Sequence, residues 1–128
     1  MNTQKHINGI LSELIAEEYF VKKGMTVSRP VAKFGEYDLI IDDGVLKSVQ
    51  VKSIYWDNSK KRFLLSLVTS HIRGNGRRIN KKYKKTSFDL LCAVEKISKA
   101  IYLIPIENIA GKRSMTFYIT DNEKYRVS

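Results

Sequence analysis

The stretch from Tyr37 to Lys52 constrains the fold of this 128-residue chain more than any other. Two apolar, β-branched runs flank Asp43-Gly44, and an Asp-Gly pair supplies the positive φ angles of a tight turn. This pattern predicts a β-hairpin. Polar residues interrupt both strands, because Asp38 lies near the start of the first while Gln50 and Lys52 lie two apart on the second. Strand alternation therefore sends Gln50 and Lys52 to the same face of the sheet.

The register of the hairpin decides whether Asp38 joins that face. If Ile41 pairs with Val45 across a three-residue loop, Asp38 lies diagonal to Gln50 on the same face. A two-residue loop instead sets Asp38 opposite Val49, on the other face, unless a bulge intervenes. The hairpin alone also fits a strand pair with one solvated face and no site. A carboxylate, an amide carbonyl and an ammonium on one face would suit Mg²⁺, which takes a few oxygen ligands from side chains and the rest from water and phosphate.

The order and spacing of these residues resemble a known family. Asp38 and Gln50-Val51-Lys52, preceded by Glu13 in an N-terminal helix, resemble the PD-(D/E)XK nuclease superfamily in its variant with glutamine in the middle position. Within it, the chain is similar to small bacterial and phage proteins related to intron-encoded homing endonucleases. The sequence departs from the pattern where Phe34-Gly35-Glu36-Tyr37 precedes Asp38, since the superfamily name has a proline there.

The resemblance implies a fold and a set of roles. The expected fold is α/β, a restriction-endonuclease-like core with a central mixed β-sheet flanked by helices in the order α-β-β-β-α-β, in a single domain over residues 1–128. Asp38, Gln50 and the Val51 carbonyl are expected to bind Mg²⁺, for which Mn²⁺ should substitute, and Glu13 binds it directly or through water. Lys52 is expected to orient or help deprotonate the attacking water.

The charge balance favours a polyanionic partner. Lysine and arginine outnumber aspartate and glutamate by 23 to 13, giving a formal charge of +10, and residues that neutralise phosphates release condensed counterions. Seven basic residues and no acidic one fall between positions 73 and 85, with two glycines among them. We expect this stretch to be a loop, followed by a short helix anchored by Ile79 and Tyr83, that contacts the DNA backbone. Its basic residues are Arg73, Arg77, Arg78, Lys81, Lys82, Lys84 and Lys85.

The remaining elements follow from hydrophobic periodicity. Apolar residues at helical spacing predict a helix from about Ile7 to Lys23, stopped by Gly24, with Glu13 at the edge of the apolar face. The residues of that face are Ile7, Ile10, Leu11, Leu14, Ile15, Phe20 and Val21. Further strands are predicted at Met25–Val31, Arg62–Val68, Ser87–Val94, Ala100–Ile106 and Met115–Thr120, with a short helix at Glu107–Ala110 and a polar tail from Asp121.

Several other classes fit poorly. The single cysteine, Cys92, excludes an internal disulfide and has apolar neighbours typical of a buried residue. His6 and His71 lack partners at ligand spacing for zinc, and no GxxxxGK loop is present. The N-terminus lacks a signal peptide pattern and no apolar run nears the roughly 20 residues that span a bilayer. We therefore expect a cytoplasmic, bacterial or phage-encoded protein without a membrane partner.

The sequence thus favours a Mg²⁺-dependent endonuclease of homing type that cuts double-stranded DNA. A structure-selective Holliday junction resolvase and a non-catalytic basic nucleic-acid-binding module remain alternatives. A chain of this size offers one metal site, whereas cutting two strands needs two, so we expect a homodimer or homotetramer.

Overall fold

The computed structural model describes residues 3–32, 35–59, 61–72, 74–117 and 123–128. Its single α-helix within these ranges, α1, runs from Gln4 to Lys22. Gly24 takes a φ of +82° at the end of the helix, and the N–H groups of Gly24 and Met25 donate to the carbonyls of Val21 and Phe20. Two such bonds close a helix around a left-handed glycine, so the predicted stop at Gly24 is confirmed.

The predicted hairpin is present, with a different register. Strands β1 (Thr26–Ser28), β2 (Leu39–Asp42) and β3 (Leu46–Ser53) pair antiparallel in chain order. Ile41 pairs with Lys47 instead of Val45.

The turn of the hairpin comprises residues 43–45, with Gly44 at a φ of +110°. The side chain of Asp42 accepts a hydrogen bond from the Gly44 N–H at 2.9 Å, which holds the turn one residue further along than expected. The pairing differs by two residues from the three-residue-loop alternative, so Asp38 still lies on the face of Gln50, and the two-residue-loop alternative is wrong.

The chain from β3 to the next strand of the main sheet folds as two small sheets. It forms β4 (Tyr55–Asp57), β5 (Arg62–Ser66), β6 (Val68–Ile72) and β7 (Arg78–Lys82). The run predicted as one strand over 62–68 is thus split at Leu67.

The predicted helix at Ile79–Tyr83 is wrong, because β7 pairs antiparallel with β6 in a second hairpin. Its turn uses Gly76 at a φ of +80°, and the Asn75 side chain accepts from the Arg77 N–H. Gly76, one of the two glycines in the stretch expected to contact the DNA backbone, therefore serves a hairpin turn.

The main sheet is completed by β8 (Leu90–Glu95) and β9 (Ala100–Pro105), in the order β1-β2-β3-β8-β9. A last strand, β10 (Ser114–Phe117), pairs with β5. β3 and β8 are parallel and all other neighbours in the main sheet are antiparallel, which confirms the expected mixed sheet. A parallel pair needs a crossover connection, and β4 to β7 supply it in place of the second helix in the expected order.

Two hydrophobic clusters cover the two faces of the main sheet. Ala16 and Phe20 of α1 pack on one face with Leu39, Val49 and Val51. On the other face a second cluster joins the sheet to the crossover strands, and its most deeply buried members include Leu65, Leu67, Tyr83, Leu91 and Ile104. Burial on both faces explains why β8 is continuously apolar.

The predicted core face of α1 is largely wrong. Ile7, Ile10, Leu11, Leu14 and Val21 are 40% to 60% exposed. The buried residues of the helix are Ser12, Ala16 and Phe20. Two small side chains among these three let the helix lie close to the sheet, and the larger apolar side chains turn away from it. We call the exposed set the outer stripe of α1.

The C-terminal residues differ from the predicted polar tail. Residues 106–108 and 123–125 form 3-10 helices. Beyond them the N–H of Val127 donates to the Ile101 carbonyl at 2.9 Å, and the Ile101 N–H donates to the Ser128 carbonyl at 3.1 Å. This end of the chain therefore pairs with the outer edge of β9, where it shields an edge strand.

Candidate active site

The start of the hairpin fixes Asp38 beside β3. Its N–H donates to the Val49 carbonyl at 2.8 Å, and its carboxylate oxygen Oδ2 accepts from the Val51 N–H at 2.9 Å. Continuing the register of β2 and β3 by one residue sets Asp38 opposite Gln50. Leu39, Val49 and Val51 face α1. Asp38, Gln50 and Lys52 consequently share the opposite face.

One cavity of about 430 Å³ gathers most of the predicted metal-site residues. We call it the acidic cavity, because Glu13 and Asp38 line it together with Gln50 and Val51. Its other lining residues come from the start of α1 and are Thr3, Lys5, His6, Gly9 and Ile10. The structure therefore brings Glu13, Asp38, Gln50 and Val51 to one place, although their roles as metal ligands stay a prediction.

Packing of α1 on β3 positions Glu13. The hydroxyl oxygens of Ser12 and Ser53 lie 2.6 Å apart, within hydrogen-bond distance, where the helix crosses the end of the strand. Glu13 follows Ser12 and is half-buried. It lies at the edge of the buried face of the helix, so its side chain lines the cavity at the sheet end. The resemblance to the nuclease family predicted this placement; the apolar periodicity alone did not.

The oxygens around Asp38 suit a cation. Gln50 Oε1 is buried without a hydrogen-bond donor among the described residues, and the same holds for Glu36 Oε2, two residues before Asp38. An acceptor left without a donor carries a desolvation cost that a bound cation would offset. The N–H and C=O of a strand residue point to the same edge, so the Val51 carbonyl is directed toward the Asp38 side of β3.

The donor set is small. No group of three or more His, Cys, Asp and Glu side chains suited to a metal occurs in the described parts of the chain. A site here would therefore combine two carboxylates with amide and backbone oxygens, and oxygen ligands of this kind suit Mg²⁺ or Mn²⁺ better than zinc. This composition agrees with the expectation that glutamine replaces a carboxylate.

Lys52 lies on the same face of β3 as Gln50 but lines the neighbouring cavity. Its ammonium donates to the Val68 carbonyl at 3.3 Å and lies 5.8 Å from the centre of the Tyr83 ring. The main chain of β6 thus holds the lysine against the sheet, next to the acidic cavity.

Tyr83 is a buried neighbour of Lys52 that the sequence did not reveal. Its side chain is 2% exposed, and its hydroxyl has no hydrogen-bond partner within the described residues. Burial raises the pKa of Tyr83, and the negative charges of Asp38 and Glu36 raise it further. The sequence marked Tyr83 only as an anchor residue, because an orphaned hydroxyl has no sequence pattern.

Arg29 adds a positive charge on another side of Asp38. Its guanidinium donates to Glu17 Oε1 at 2.5 Å. This hydrogen bond raises the pKa of Arg29. The negative charges of Glu17, Glu13 and Asp38 raise it further. The guanidinium therefore lies within electrostatic reach of the acidic cavity. Its position just after β1 gave no signal in the sequence.

The predicted DNA-binding residues lie on and beside β7. Arg77, Lys81, Lys82, Lys84 and Lys85 are exposed, Arg78 belongs to β7, and Arg73 lies outside the described residues. Asp89 accepts a hydrogen bond from the Ser48 N–H at 2.8 Å. Cys92 is buried as expected, and burial raises the pKa of its thiol to about 12.

None of the described helices is long and apolar enough to cross a membrane.

A mixed sheet backed by a helix, with two carboxylates and an amide oxygen beside a lysine at one end, defines a nuclease of the restriction-endonuclease-like class. The PD-(D/E)XK endonuclease family matches residues 1–127, and the chain belongs to this family. Nucleases of this family generally depend on divalent metal ions. The resemblance inferred from Asp38 and Gln50-Val51-Lys52 is therefore confirmed.

Two relatives extend the comparison. Protein 5.3 of Escherichia phage T7 is 27% identical over 113 residues, covering 88% of this chain and 89% of that protein. The structure of a bacterial homing endonuclease, I-Ssp6803I, matches with a TM-score of 0.84 and 20% identity, covering 97% of this chain and 89% of that one. The second match confirms the expected fold.

Proposed function

We propose that this protein is a Mg²⁺-dependent DNA endonuclease of homing type that makes site-specific double-strand cuts, with Mn²⁺ able to replace Mg²⁺. The observation that carries the proposal is the convergence of Glu13, Asp38 and Gln50 along one cavity, with Lys52 on the adjoining sheet face. The homing type is supported by the shared fold of a bacterial homing endonuclease.

Four residues would hold the ion: Asp38 through its carboxylate, Gln50 through its amide oxygen, Val51 through its carbonyl, and Glu13 directly or through water. When bound, the ion neutralises charge on the scissile phosphate and activates a water molecule as the nucleophile. The hydrogen bond from the Val51 N–H at 2.9 Å keeps the Asp38 carboxylate in place before any ligand arrives. A site fixed in this way loses little entropy when it binds.

Lys52 acts on the attacking water. Its ammonium is held by the Val68 carbonyl at 3.3 Å, so it cannot swing away into solvent without losing a hydrogen bond. From this position the ammonium orients the water and stabilises the negative charge on the phosphorane-like transition state, whereas in its neutral amine form the same group would help to remove the proton of the water. The P–O bond to the leaving oxygen then breaks as the new P–O bond forms.

The basic residues around β7 contact the backbone of double-stranded DNA. Arg77, Lys81 and Lys82 are exposed on the hairpin of β6 and β7, and Lys84 and Lys85 are exposed just after it. Contacts of this kind position the duplex and carry no base specificity.

Two copies of the chain are needed for a double-strand cut, so we infer a homodimer or homotetramer. The outer stripe of α1 supports this inference. Its side chains are 40% to 60% exposed, and a contiguous apolar patch on a protein surface commonly marks an interface.

A cleavage assay tests the proposed function. Supercoiled plasmid, a four-way junction and single-stranded DNA are incubated with the protein in Mg²⁺, in Mn²⁺ and in EDTA. We expect cleavage of duplex plasmid in either metal, none in EDTA, and loss of cleavage in Asp38→Ala. Glu107→Ala, which removes an exposed carboxylate outside the acidic cavity, is the matched control.

Each alternative predicts another result in the same assay. Cleavage confined to the four-way junction would assign a resolvase. Binding without metal-dependent cleavage of any substrate would leave only a nucleic-acid-binding module.

A further inference from the structure

A second cavity of about 870 Å³ adjoins the acidic cavity. It lies between the first half of α1 and the strands β3, β4 and β6, and Lys5, Gly9 and Val51 line both cavities. The two cavities therefore border each other along the N-terminal half of the helix. We call the second one the lysine cavity.

The lysine cavity has the opposite charge. Lys5, Lys52 and Lys96 line it, and none of the described residues that line it is aspartate or glutamate. The first turn of α1 also holds Lys5 and no acidic residue, although a helix N-terminus normally favours acidic side chains. Positive charge concentrated at a helix N-terminus is suited to an anionic ligand. The three lysines of the second cavity therefore lie next to the cavity that holds the carboxylates of Glu13 and Asp38.

Gly9 marks the junction of the cavities. Glycine is among the poorest helix formers, yet Gly9 lies in the interior of α1. A Cβ added there would meet no atom of the described residues within 4 Å, so packing within the chain does not require glycine. Because Gly9 lines both cavities, the missing side chain keeps the passage between them open for a ligand.

We propose that the lysine cavity binds the cleaved DNA strand on one side of the scissile phosphate. Lys5 and Lys96 contact its phosphates, and Gly9 lets the backbone pass from the lysine cavity into the acidic cavity. A strand running through both places one phosphate at the carboxylates and its neighbours at the lysines. The inference rests on the proposed function, because it takes DNA as the substrate.

Salt dependence of DNA binding tests the lysines without any cleavage. A fluorescein-labelled 30-base-pair duplex is titrated in EDTA, and anisotropy gives the affinity at several KCl concentrations. Each neutralised phosphate contributes about 0.9 to the slope of log affinity against log salt. We expect Lys5→Ala and Lys96→Ala each to lower the slope by about 0.9, and the double variant by about 1.8. Lys112→Ala, an exposed lysine that lines neither cavity, should leave the slope unchanged.

Gly9 gives a second, steric test. Gly9→Leu should raise the melting temperature by a few degrees, because leucine favours the helix and its Cβ meets no described atom, yet weaken DNA binding about tenfold or more. Val45→Leu, at the exposed turn of the β2–β3 hairpin and lining neither cavity, should bind DNA as the wild type does. A variant Gly9→Leu that binds normally, or lysine variants with unchanged slopes, would overturn the proposal.

These outcomes separate the strand path from the proposed function. If Asp38→Ala keeps full cleavage while the two lysine slopes fall, the endonuclease assignment to the acidic cavity fails and the strand path stands. If cleavage requires Asp38 and the slopes are unchanged, the active site stands and the strand lies elsewhere.

Discussion

The Asp38 carboxylate and the Val51 N–H form a hydrogen bond of 2.9 Å that joins the start of β2 to the middle of β3. One oxygen of the carboxylate therefore has a structural role. Asp38 is largely buried, so the same side chain must both close the end of the hairpin and provide charge in the acidic cavity. Two different substitutions at Asp38 can test these two roles separately.

Asp38→Asn tests the charge alone, since the asparagine carbonyl still accepts from Val51. We expect metal-dependent cleavage to fall by about 100-fold or more, as when a charge-stabilising group is lost, with an unchanged free energy of unfolding. Asp38→Ala also leaves the Val51 N–H without an acceptor and should lower the free energy of unfolding by about 1–3 kcal/mol. Plasmid cleavage and urea denaturation measure the two effects, and full activity in Asp38→Asn would exclude a role for the charge.

Gln50→Glu tests why the chain has an amide at this position. The substitution keeps an oxygen ligand and adds one negative charge beside Asp38 and Glu13. We expect the Mg²⁺ concentration for half-maximal cleavage to fall by about tenfold, equivalent to about 1.4 kcal/mol of tighter binding. Gln50→Ala, which removes the oxygen, should raise that concentration. An unchanged metal requirement in both variants would place Gln50 outside the metal site.

Much of the site was predictable because strand parity is robust. The sequence left two registers open, and the observed pairing of Ile41 differs by two residues from the register that sets Asp38 and Gln50 on one face. An even shift keeps both residues on that face. The outer stripe of α1 was misassigned, since periodicity shows that a helix has an apolar face but not what that face contacts.

The helix predicted around Ile79 failed for another reason. Spacing of two apolar residues is weak support for a helix, and pairing with β6 is a long-range contact that local sequence does not encode. Tyr83, Glu36 and the lysine cavity were missed because each depends on residues brought together from distant segments.

Cys92 is expected to be chemically inert in the folded protein. Its side chain is buried and the pKa of the thiol is raised to about 12, so almost no thiolate is present at pH 8. Ellman's reagent should react with less than about a tenth of the protein in an hour under native conditions and fully in 6 M guanidinium, which exposes the thiol. Rapid native labelling would show that β8 opens readily.

Tyr83→Phe probes the buried hydroxyl through the pH dependence of stability. The pKa of Tyr83 is raised in the folded state, so above about pH 10 the unfolded chain loses this proton first. The folded state then binds more protons, and the free energy of unfolding falls as pH rises. The variant should weaken that alkaline fall and, by removing a hydroxyl that has no partner among the described residues, raise the free energy of unfolding at pH 7 by about 1 kcal/mol.

A control distinguishes this effect from general alkaline denaturation. Tyr55→Phe removes a hydroxyl from a half-exposed ring and should leave the pH profile unchanged. Urea denaturation at intervals from pH 7 to pH 11 gives both profiles, and identical curves for wild type and Tyr83→Phe would contradict the assignment.

The outer stripe of α1 yields a prediction about assembly. Leu11 and Leu14 are 45% and 48% exposed at its centre, so glutamine at both positions loses few contacts within the chain. If the stripe joins two copies, the double variant should be monomeric in multi-angle light scattering under conditions in which the wild type is a dimer or tetramer. Its melting temperature as a monomer should not depend on protein concentration, whereas that of an associating wild type rises with concentration.

A matched control lies at the turn of the hairpin, where Val45 and Leu46 are 63% and 68% exposed. The double variant Val45→Gln with Leu46→Gln removes a similar apolar area from another surface and should keep the wild-type mass. A wild-type mass in the α1 variant would exclude the stripe as the interface. Because each copy offers one site and a double-strand cut needs two, loss of the interface should reduce double-strand cuts and leave single-strand nicks.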